Sequence, residues 1–311
     1  MKLRLRLTAL FPLLLLAVFF ASCASAPTVS FPPEQEAREL TILPAGARVY
    51  LWADVAQGRQ LLYAISSLYI TGDGVSDVLD STSSAAVAFF PAQEEGRRFF
   101  LAASGSFPRA RASMALTFNR SWRRQRSVTG NSYWYSPGEN IALALGSNLA
   151  LVSNIDPYEQ FEFEVLPPGF SEFNRGYALS GWVNDPSPLI NSFISAMGIP
   201  LQVPAEKFFF GAVSTPMIAE GDWELVFRIG TASQAQAQFL LGLFSLARFF
   251  VMQMPQAQLA PDPYVISPEE AAFLLFANAP ELDGDGLILR IGHLNETRIA
   301  LLFAMFSVYS N

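Results

Sequence analysis

The chain has a single thiol, and its position favours covalent modification over catalysis or disulfide formation. Cys23 is the only cysteine among the 311 residues. A basic region, an apolar run and two small residues precede it: Lys2, Arg4 and Arg6, then Leu7 to Phe20, then Ala21 and Ser22. This order predicts a targeting segment that is not part of the folded protein. The apolar run is too short for a membrane-spanning helix.

Phe20-Ala21-Ser22-Cys23 resembles the lipobox of bacterial lipoprotein signal peptides, and the resemblance covers residues 1–23 only. It implies that Cys23 is the lipidation site. Its sulfur would carry a thioether-linked diacylglycerol, and Cys23 would become the new N-terminus. Phe20 stands where the family usually has leucine. The alternative is an ordinary secretory signal that is cut near Ala24–Ala26 and leaves no anchor.

The resemblance also implies a partner and a location. Two or more acyl chains hold a protein stably on a membrane, so the first expected partner is the membrane, through the lipid on Cys23. Ala24 follows the cysteine in place of the aspartate that retains some lipoproteins at the inner membrane. The expected location is therefore the bacterial cell envelope, lipid-anchored, at the outer membrane.

The charge of the chain excludes one class of partner. Removal of residues 1–22 takes away three of the 20 basic residues and none of the 27 acidic ones, which leaves a formal charge of −10. Because nucleic-acid binding relies on neutralising phosphates, we expect no nucleic acid as a partner. With Cys23 acylated no disulfide is available, so packing alone must hold the fold.

No residue pattern predicts a catalytic, metal or cofactor site. His293 is the one histidine, and Asp283 or Asp285 would be its nearest carboxylates, but a Ser-His-Asp site needs a positioned base and the spacing does not supply one. One histidine and one acylated cysteine exclude ordinary zinc ligation. Asp283–Gly286 and Gly72–Gly74 are interpreted as turns, because they lack the full ligand set of a calcium loop. We therefore expect no enzyme activity and no cofactor.

One local cluster of positive charge occurs in this acidic chain. It lies at the end of a predicted long helix from Pro108 to Trp122 and comprises Arg120, Trp122, Arg123, Arg124 and Arg126. Arginines at a helix C-terminus would complement the helix dipole. The cluster predicts a weak binding site for anionic headgroups, a polyanionic glycan or an acidic partner. A solvated helix end is the alternative.

The rest of the chain, which must position these residues, contains an internal repeat. A shift of 125 residues places Ala86–Leu116 on Gly211–Leu241 without a gap. Seven positions are identical, and they include a proline, a glutamate and two glycines. The aligned strands end in a proline turn, and Gly105 and Gly230 each precede a predicted helix. The pattern therefore favours a duplication, although chance similarity in an apolar sequence is the alternative.

Each half is predicted to run strand, helix, strand, strand, helix and closing strands. The first half has strands at 48–54, 86–90, 98–103, 140–145 and 148–153, and helices at 57–69 and 108–122. The second half has strands at 176–183, 208–215, 223–228, 272–277 and 286–291, and helices at 188–197 and 232–252. This order predicts an α+β fold of two tandem ferredoxin-like (β-α-β-β-α-β) repeat units with mainly antiparallel sheets.

The predicted organisation has four parts: residues 1–22 are the signal peptide, 23–40 the lipidated N-terminus and tether, 41–166 the first unit and 167–311 the second. The apolar segments Phe239–Phe250 and Ile299–Tyr309 are expected in the core, with a groove for an acyl chain or partner helix as the alternative. The expected function is non-enzymatic binding or scaffolding at the envelope, with an envelope protein or an apolar ligand as the further partner. A carrier of an apolar ligand or lipid between the units, and an enzyme with an unrecognised site, remain alternatives.

Overall fold

A computed structural model of the chain describes residues 39–67, 74–91, 98–159, 162–196, 202–214, 222–253 and 266–309. The chain divides into Met1–Pro168 and Gly169–Asn311, here called unit 1 and unit 2. Cys23, the predicted signal peptide, most of the predicted tether, and Gly72 and Asp73 of one predicted turn lie outside the described residues.

Unit 1 is an antiparallel sheet with helices in its connections. Its strands are β1 (Val49–Asp54), β2 (Thr82–Phe89), β3 (Phe99–Gly105), β4 (Arg123–Arg126), β5 (Ser132–Ser136), β6 (Ile141–Leu145) and β7 (Leu149–Ser153). Its helices are a 3₁₀ turn (Leu40–Ile42), α1 (Val55–Ser67), α2 (Gly74–Ser81) and α3 (Arg109–Phe118). Within the described residues the strand order is β1-β2-β3-β7-β6-β5-β4, and each neighbouring pair is antiparallel.

The core of unit 1 forms on one face of this sheet. Side chains alternate between the two faces of a strand, and all of β6 is buried. Ile141, Leu143 and Leu145 therefore pack in one cluster with Leu116 of α3 and with Trp122. The two alanines between them pack with a tyrosine of β5 in a second, smaller cluster. Trp122 thus fixes the start of β4 to the core.

Unit 2 is also an antiparallel sheet with helices in its connections, and its described residues contain fewer strands. Its strands are β8 (Leu179–Val183), β9 (Lys207–Ser214), β10 (Trp223–Gly230), β11 (Glu281–Asp283) and β12 (Gly286–Leu294). Its helices are α4 (Phe170–Asn174), α5 (Pro186–Ala196), α6 (Gln234–Met252), α7 (Pro268–Phe276) and α8 (Glu296–Tyr309). The described strands follow the order β11-β12-β10-β9-β8, again with antiparallel neighbours.

Aromatic side chains of β9 supply the packing on both faces of the unit 2 sheet. Phe209 lies edge-on to Phe170 of α4, with ring centroids 5.6 Å apart, and Phe170 in turn lies 4.6 Å from the ring of Trp182. The preceding residue, Phe208, stacks on Phe227 of β10 at 5.8 Å. Such buried ring pairs each contribute about 0.5–1.5 kcal/mol beyond the area that they bury.

The predicted α+β class with mainly antiparallel sheets is confirmed. The 125-residue spacing also recurs in the element bounds. Strand β2 begins at Thr82 and β9 at Lys207, and helix α3 begins at Arg109 and α6 at Gln234. Each of the two later elements thus starts 125 residues after its counterpart.

The strand order differs from the predicted ferredoxin-like arrangement. A split β-α-β unit places a further strand between the two strands that its helix connects. Here β8 and β9, which α5 connects, are direct antiparallel neighbours, and β1 and β2 are paired in the same way. The helices return the chain beside the strand it left, so the first three strands of each half form a meander.

One predicted element is of the wrong type, and another ends earlier than predicted. The predicted strand at 272–277 lies in helix α7, which ends at Phe276. The predicted helix from Pro108 to Trp122 ends at Phe118, and the arginines after Trp122 form strand β4, which pairs with β5. The helix-dipole argument for the arginine cluster therefore does not apply.

The glycine that ends β3 explains one identity in the repeat and gives a testable prediction. A Cβ on Gly105 would lie 2.0 Å from the carbonyl oxygen of Ser81, so no side chain fits there. We expect Gly105→Ala to lower the free energy of unfolding by about 1–3 kcal/mol, as overpacking does. Urea denaturation measures this.

Gly138→Ala is the matched control, because a Cβ there meets nothing within 4 Å and Gly138 has no positive φ. It should be neutral or slightly stabilising, since alanine restricts the unfolded chain more than glycine does. Equal midpoints for the two variants would contradict the close approach at Gly105.

Candidate functional site

The structure does not bring together the residues that were weighed for a hydrolase site. His293 is exposed and has a φ of 58°, and its Nδ1 lies 3.6 Å from Oδ2 of Asp222. Asp283 pairs with Arg228 at 2.8 Å. The backbone carbonyl of Asp285 accepts a hydrogen bond from the hydroxyl of Thr231 at 2.7 Å. The carboxylate of Asp283 thus belongs to another ion pair, and Asp285 contacts Thr231 through its backbone carbonyl.

The turn interpretation of Asp283–Gly286 agrees with the structure. Asp283 and Gly286 are paired across the β11–β12 hairpin, and Gly284 has a φ of 60°. A two-residue hairpin loop of this kind requires a positive φ at its first position. Among the residues that the structure describes, no group of three or more His, Cys, Asp or Glu side chains is placed to hold a metal ion.

Helix α6 is attached to unit 2 by one stripe of side chains. Its buried residues recur at the spacing of one helix face and are Ala237, Leu240, Phe244, Ala247 and Val251. The ring of Phe244 lies 5.6 Å from that of Phe276 in α7. Arg248 donates from Nε to the carbonyl oxygen of Phe276 at 3.1 Å and from Nη2 to that of Ala277 at 3.3 Å. The only charged side chain of α6 is thus directed to the C-terminal end of α7.

The opposite face of α6 is apolar and exposed, so the expectation that Phe239–Phe250 packs in the core holds only for the buried stripe. Its large exposed side chains are Phe239 (62%), Leu246 (54%), Phe249 (58%) and Phe250 (59%). Positions 239, 246 and 250 recur at helical spacing, so these side chains share one side of the helix. We call these four residues the α6 outer face. It extends over roughly 17 Å of the helix axis.

By length and composition alone, α6 is also the described helix that could cross a membrane. Its buried stripe gives a different role, because Leu240, Phe244 and Val251 are each at most 1% exposed in unit 2. Exposed apolar patches of this kind are candidates for contact with a protein or a membrane. In the last helix, Ile299 and Leu302 are buried, and the side chains beyond them lie outside the described residues.

The predicted arginine cluster lies at the free edge of the unit 1 sheet. Arg120 precedes β4, and Arg123, Arg124 and Arg126 are on it; all four are exposed. Trp122, the fifth predicted residue, is buried at 6% exposure and belongs to the core. The cluster therefore separates into four solvent-facing arginines, here called the β4 arginines, and one aromatic anchor.

The partners of β4 across the sheet fix where these arginines point. Arg124 is opposite Trp134 and Arg126 is opposite Ser132. An open hollow of ≈ 280 Å³ is lined by Arg124, Gln125, Arg126 and Ser132. On the other face of the hairpin, Gln125 accepts a hydrogen bond of 2.8 Å from the hydroxyl of Tyr133. Burial raises the pKa of this phenol, so it stays protonated and keeps the bond.

Three exposed apolar side chains accompany the β4 arginines, and sequence reasoning did not single them out. Met114 (62%) and Phe118 (81%) lie on α3. Positions 111, 114 and 118 recur at helical spacing, which places Arg111 on the same side of α3 as these two residues. Val128 (91%) lies in the turn between β4 and β5. Helical spacing could have identified Met114 and Phe118 as neighbours of Arg111, whereas no sequence pattern pointed to Val128.

No protein-family model and no curated protein matches the chain. Solved structures that resemble it are crystal forms I and III of TP0453. Form I has 17% sequence identity and a TM-score of 0.55, and the match covers 86% of this chain and 97% of that one. Form III has 15% identity and a TM-score of 0.56, with 86% and 98% of the two chains covered. At this level of identity the chain shares the fold of TP0453.

Proposed function

We propose that this protein is a membrane-anchored lipoprotein of the bacterial cell envelope with a non-enzymatic binding role at the lipid bilayer. Cys23 carries the acyl anchor, and the outer membrane is its site. The observation that carries the proposal is the α6 outer face.

A lipid bilayer is the occupant that this face suits. No charged side chain points from it, because Arg248 is bonded to the carbonyls at the end of α7. Exposed apolar patches of this kind mark contacts with proteins or membranes. An acylated Cys23 would hold the protein stably at a bilayer, so lipid is an apolar phase within reach of this face.

The two units are also proposed to be copies of one ancestral α+β unit. The coincident 125-residue offset of strands and helices supports this. So does the shared position of Gly105 and Gly230, which face Thr82 and Lys207, the first residues of β2 and β9. The exposed helix then differs between the copies, since α6 is longer and more apolar than α3.

Vesicle binding tests the role of the α6 outer face. The mature chain, residues 23–311 with Cys23→Ala, removes the anchor and keeps every described residue. We expect it to float with phosphatidylcholine vesicles, and Phe239→Ser with Phe249→Ser to weaken binding about 100-fold, because each phenylalanine that enters an apolar phase contributes at least about 1.5 kcal/mol.

A second double variant, Tyr63→Ser with Val165→Ser, removes two exposed apolar side chains of unit 1 and serves as the control. It should bind as the parent does. If the α6 variant keeps the parent affinity, or if both double variants lose it equally, the α6 outer face is not the membrane contact and the proposal fails. Circular dichroism confirms that both variants are folded.

A further inference from the structure

The geometry points to a second, chemically distinct surface: the β4 arginines bind the phosphate groups of anionic phospholipids at the bilayer. This inference deepens the proposed membrane role by naming the charge of the lipid. It uses residues in unit 1 and makes no use of α6, so the two can fail separately.

The charge of this region is the first argument. Residues 96–138 contain eight arginines and no acidic residue, in a chain whose formal charge is −7. Across the described ranges, no acidic side chain forms an ion pair with any of the β4 arginines. By contrast, Arg228, Arg290 and Arg298 in unit 2 are each paired with a carboxylate. The β4 arginines therefore keep their charge available for an external anion.

The arrangement of donors is the second argument. Arg124 and Arg126 are two residues apart on a strand, so their side chains leave the same face about 7 Å from each other. Both line the hollow that Ser132 completes with a hydroxyl group. Two guanidinium groups and a hydroxyl are a donor set for phosphate oxygens, to which arginine binds in bidentate fashion. The hollow is open, as a headgroup that stays in its membrane requires.

The exposed apolar neighbours select a membrane over a soluble anion. Phe118 lies two residues before Arg120, and Val128 lies two residues after Arg126. Arg120 lies in a turn directly after Phe118, because the Trp122 amide donates to the carbonyl oxygen of Asn119 at 3.1 Å. A site for a free phosphate has no use for such side chains, whereas a basic surface with apolar residues is typical of membrane-interface binding.

Edge protection does not account for this composition. Charged residues on an edge strand discourage pairing with other chains, and β4 is the edge strand of the described unit 1 sheet. A single charge of either sign serves that purpose. It does not require three arginines on four residues, an acid-free stretch of 43 residues around them, or exposed apolar side chains at both ends.

The test compares vesicles that differ only in headgroup charge. The mature chain with Cys23→Ala is floated with phosphatidylcholine vesicles and with vesicles that contain phosphatidylglycerol. We expect tighter binding to the anionic vesicles, weakened by salt. Arg124→Gln with Arg126→Gln should lower the affinity for anionic vesicles about 25-fold, since each basic residue near an anionic surface contributes about fivefold. Its affinity for phosphatidylcholine should not change.

The control is Arg59→Gln with Arg175→Gln, which removes the same charge elsewhere and should keep the preference for anionic vesicles. The inference is overturned if the parent chain shows no preference, if Arg124→Gln with Arg126→Gln retains it, or if both double variants lose it equally. Binding to soluble polyglutamate in place of vesicles would also overturn it, in favour of an acidic protein. Failure of the α6 variants to affect phosphatidylcholine binding would instead remove the proposed function and leave this preference intact.

Discussion

Cys23→Ala is expected to abolish stable attachment to the membrane fraction of the native host and to leave only the reversible binding through the α6 outer face. The thiol is the only acceptor for the predicted diacylglycerol, and each buried methylene of an acyl chain contributes about 0.8 kcal/mol to membrane binding. Two or more chains make attachment stable, so their loss has the largest effect of any single substitution. Fractionation and intact mass spectrometry of detergent extracts measure it.

Ser22→Ala is the control, because it keeps a small side chain beside the cut and should retain both the lipid and the membrane location. A mass increase on Cys23 that disappears in the alanine variant is the expected result. An unmodified mature chain that begins near Ala24–Ala26 and stays in the soluble fraction would contradict the anchor. It would leave an ordinary secreted protein.

The repeated core elements were predictable because their signals are local. Apolar runs bounded by proline and glycine predicted β2, β3, β9 and β10, and the same spacing places α3 and α6 after them. Strand order, by contrast, could not be predicted from local signals. Whether α5 returns the chain beside β8 or beyond another strand depends on packing between distant segments, which no local pattern records.

The misassigned segment 272–277 shows where one local signal was ambiguous and another was overlooked. Apolar runs of four to eight residues do not distinguish a buried strand from a helix, and 272–277 is such a run. Ser267 and Glu270 form the S-x-x-E pattern of a helix start, and the Ser267 hydroxyl does accept from the Glu270 amide at 3.1 Å. That pattern was the available signal for α7.

Composition identified the arginine cluster, but it did not predict that these arginines lie on an edge strand. Because the helix was predicted to continue to Trp122, strands β4 and β5 were not predicted. The aromatic-rich segment Ser132–Ser136 nevertheless has the residue types that strands favour. Sequence alone could not have identified the exposed side of α6. Its sequence is apolar on both sides, so hydropathy predicts that the whole helix is buried. Only the position of the sheet decides which side is covered.

The two sides of α6 should therefore respond to substitution in opposite ways. Phe244 is 1% exposed and packs on Phe276, so Phe244→Ala is expected to lower the free energy of unfolding by about 3–5 kcal/mol. Phe239, five residues earlier, is 62% exposed, and Phe239→Ala should change stability by no more than about 0.5 kcal/mol. Urea denaturation of the mature chain measures both.

Vesicle binding should distinguish Phe239→Ala from Phe244→Ala in the opposite sense to stability. Phe239→Ala should weaken binding to phosphatidylcholine vesicles about tenfold, because it removes one ring from the apolar phase. Phe244→Ala, measured at a temperature where it is folded, should bind as the parent does, since its ring never leaves unit 2. If Phe239→Ala instead destabilises the protein as strongly as Phe244→Ala, the outer face of α6 is covered by protein in solution and is not available to lipid.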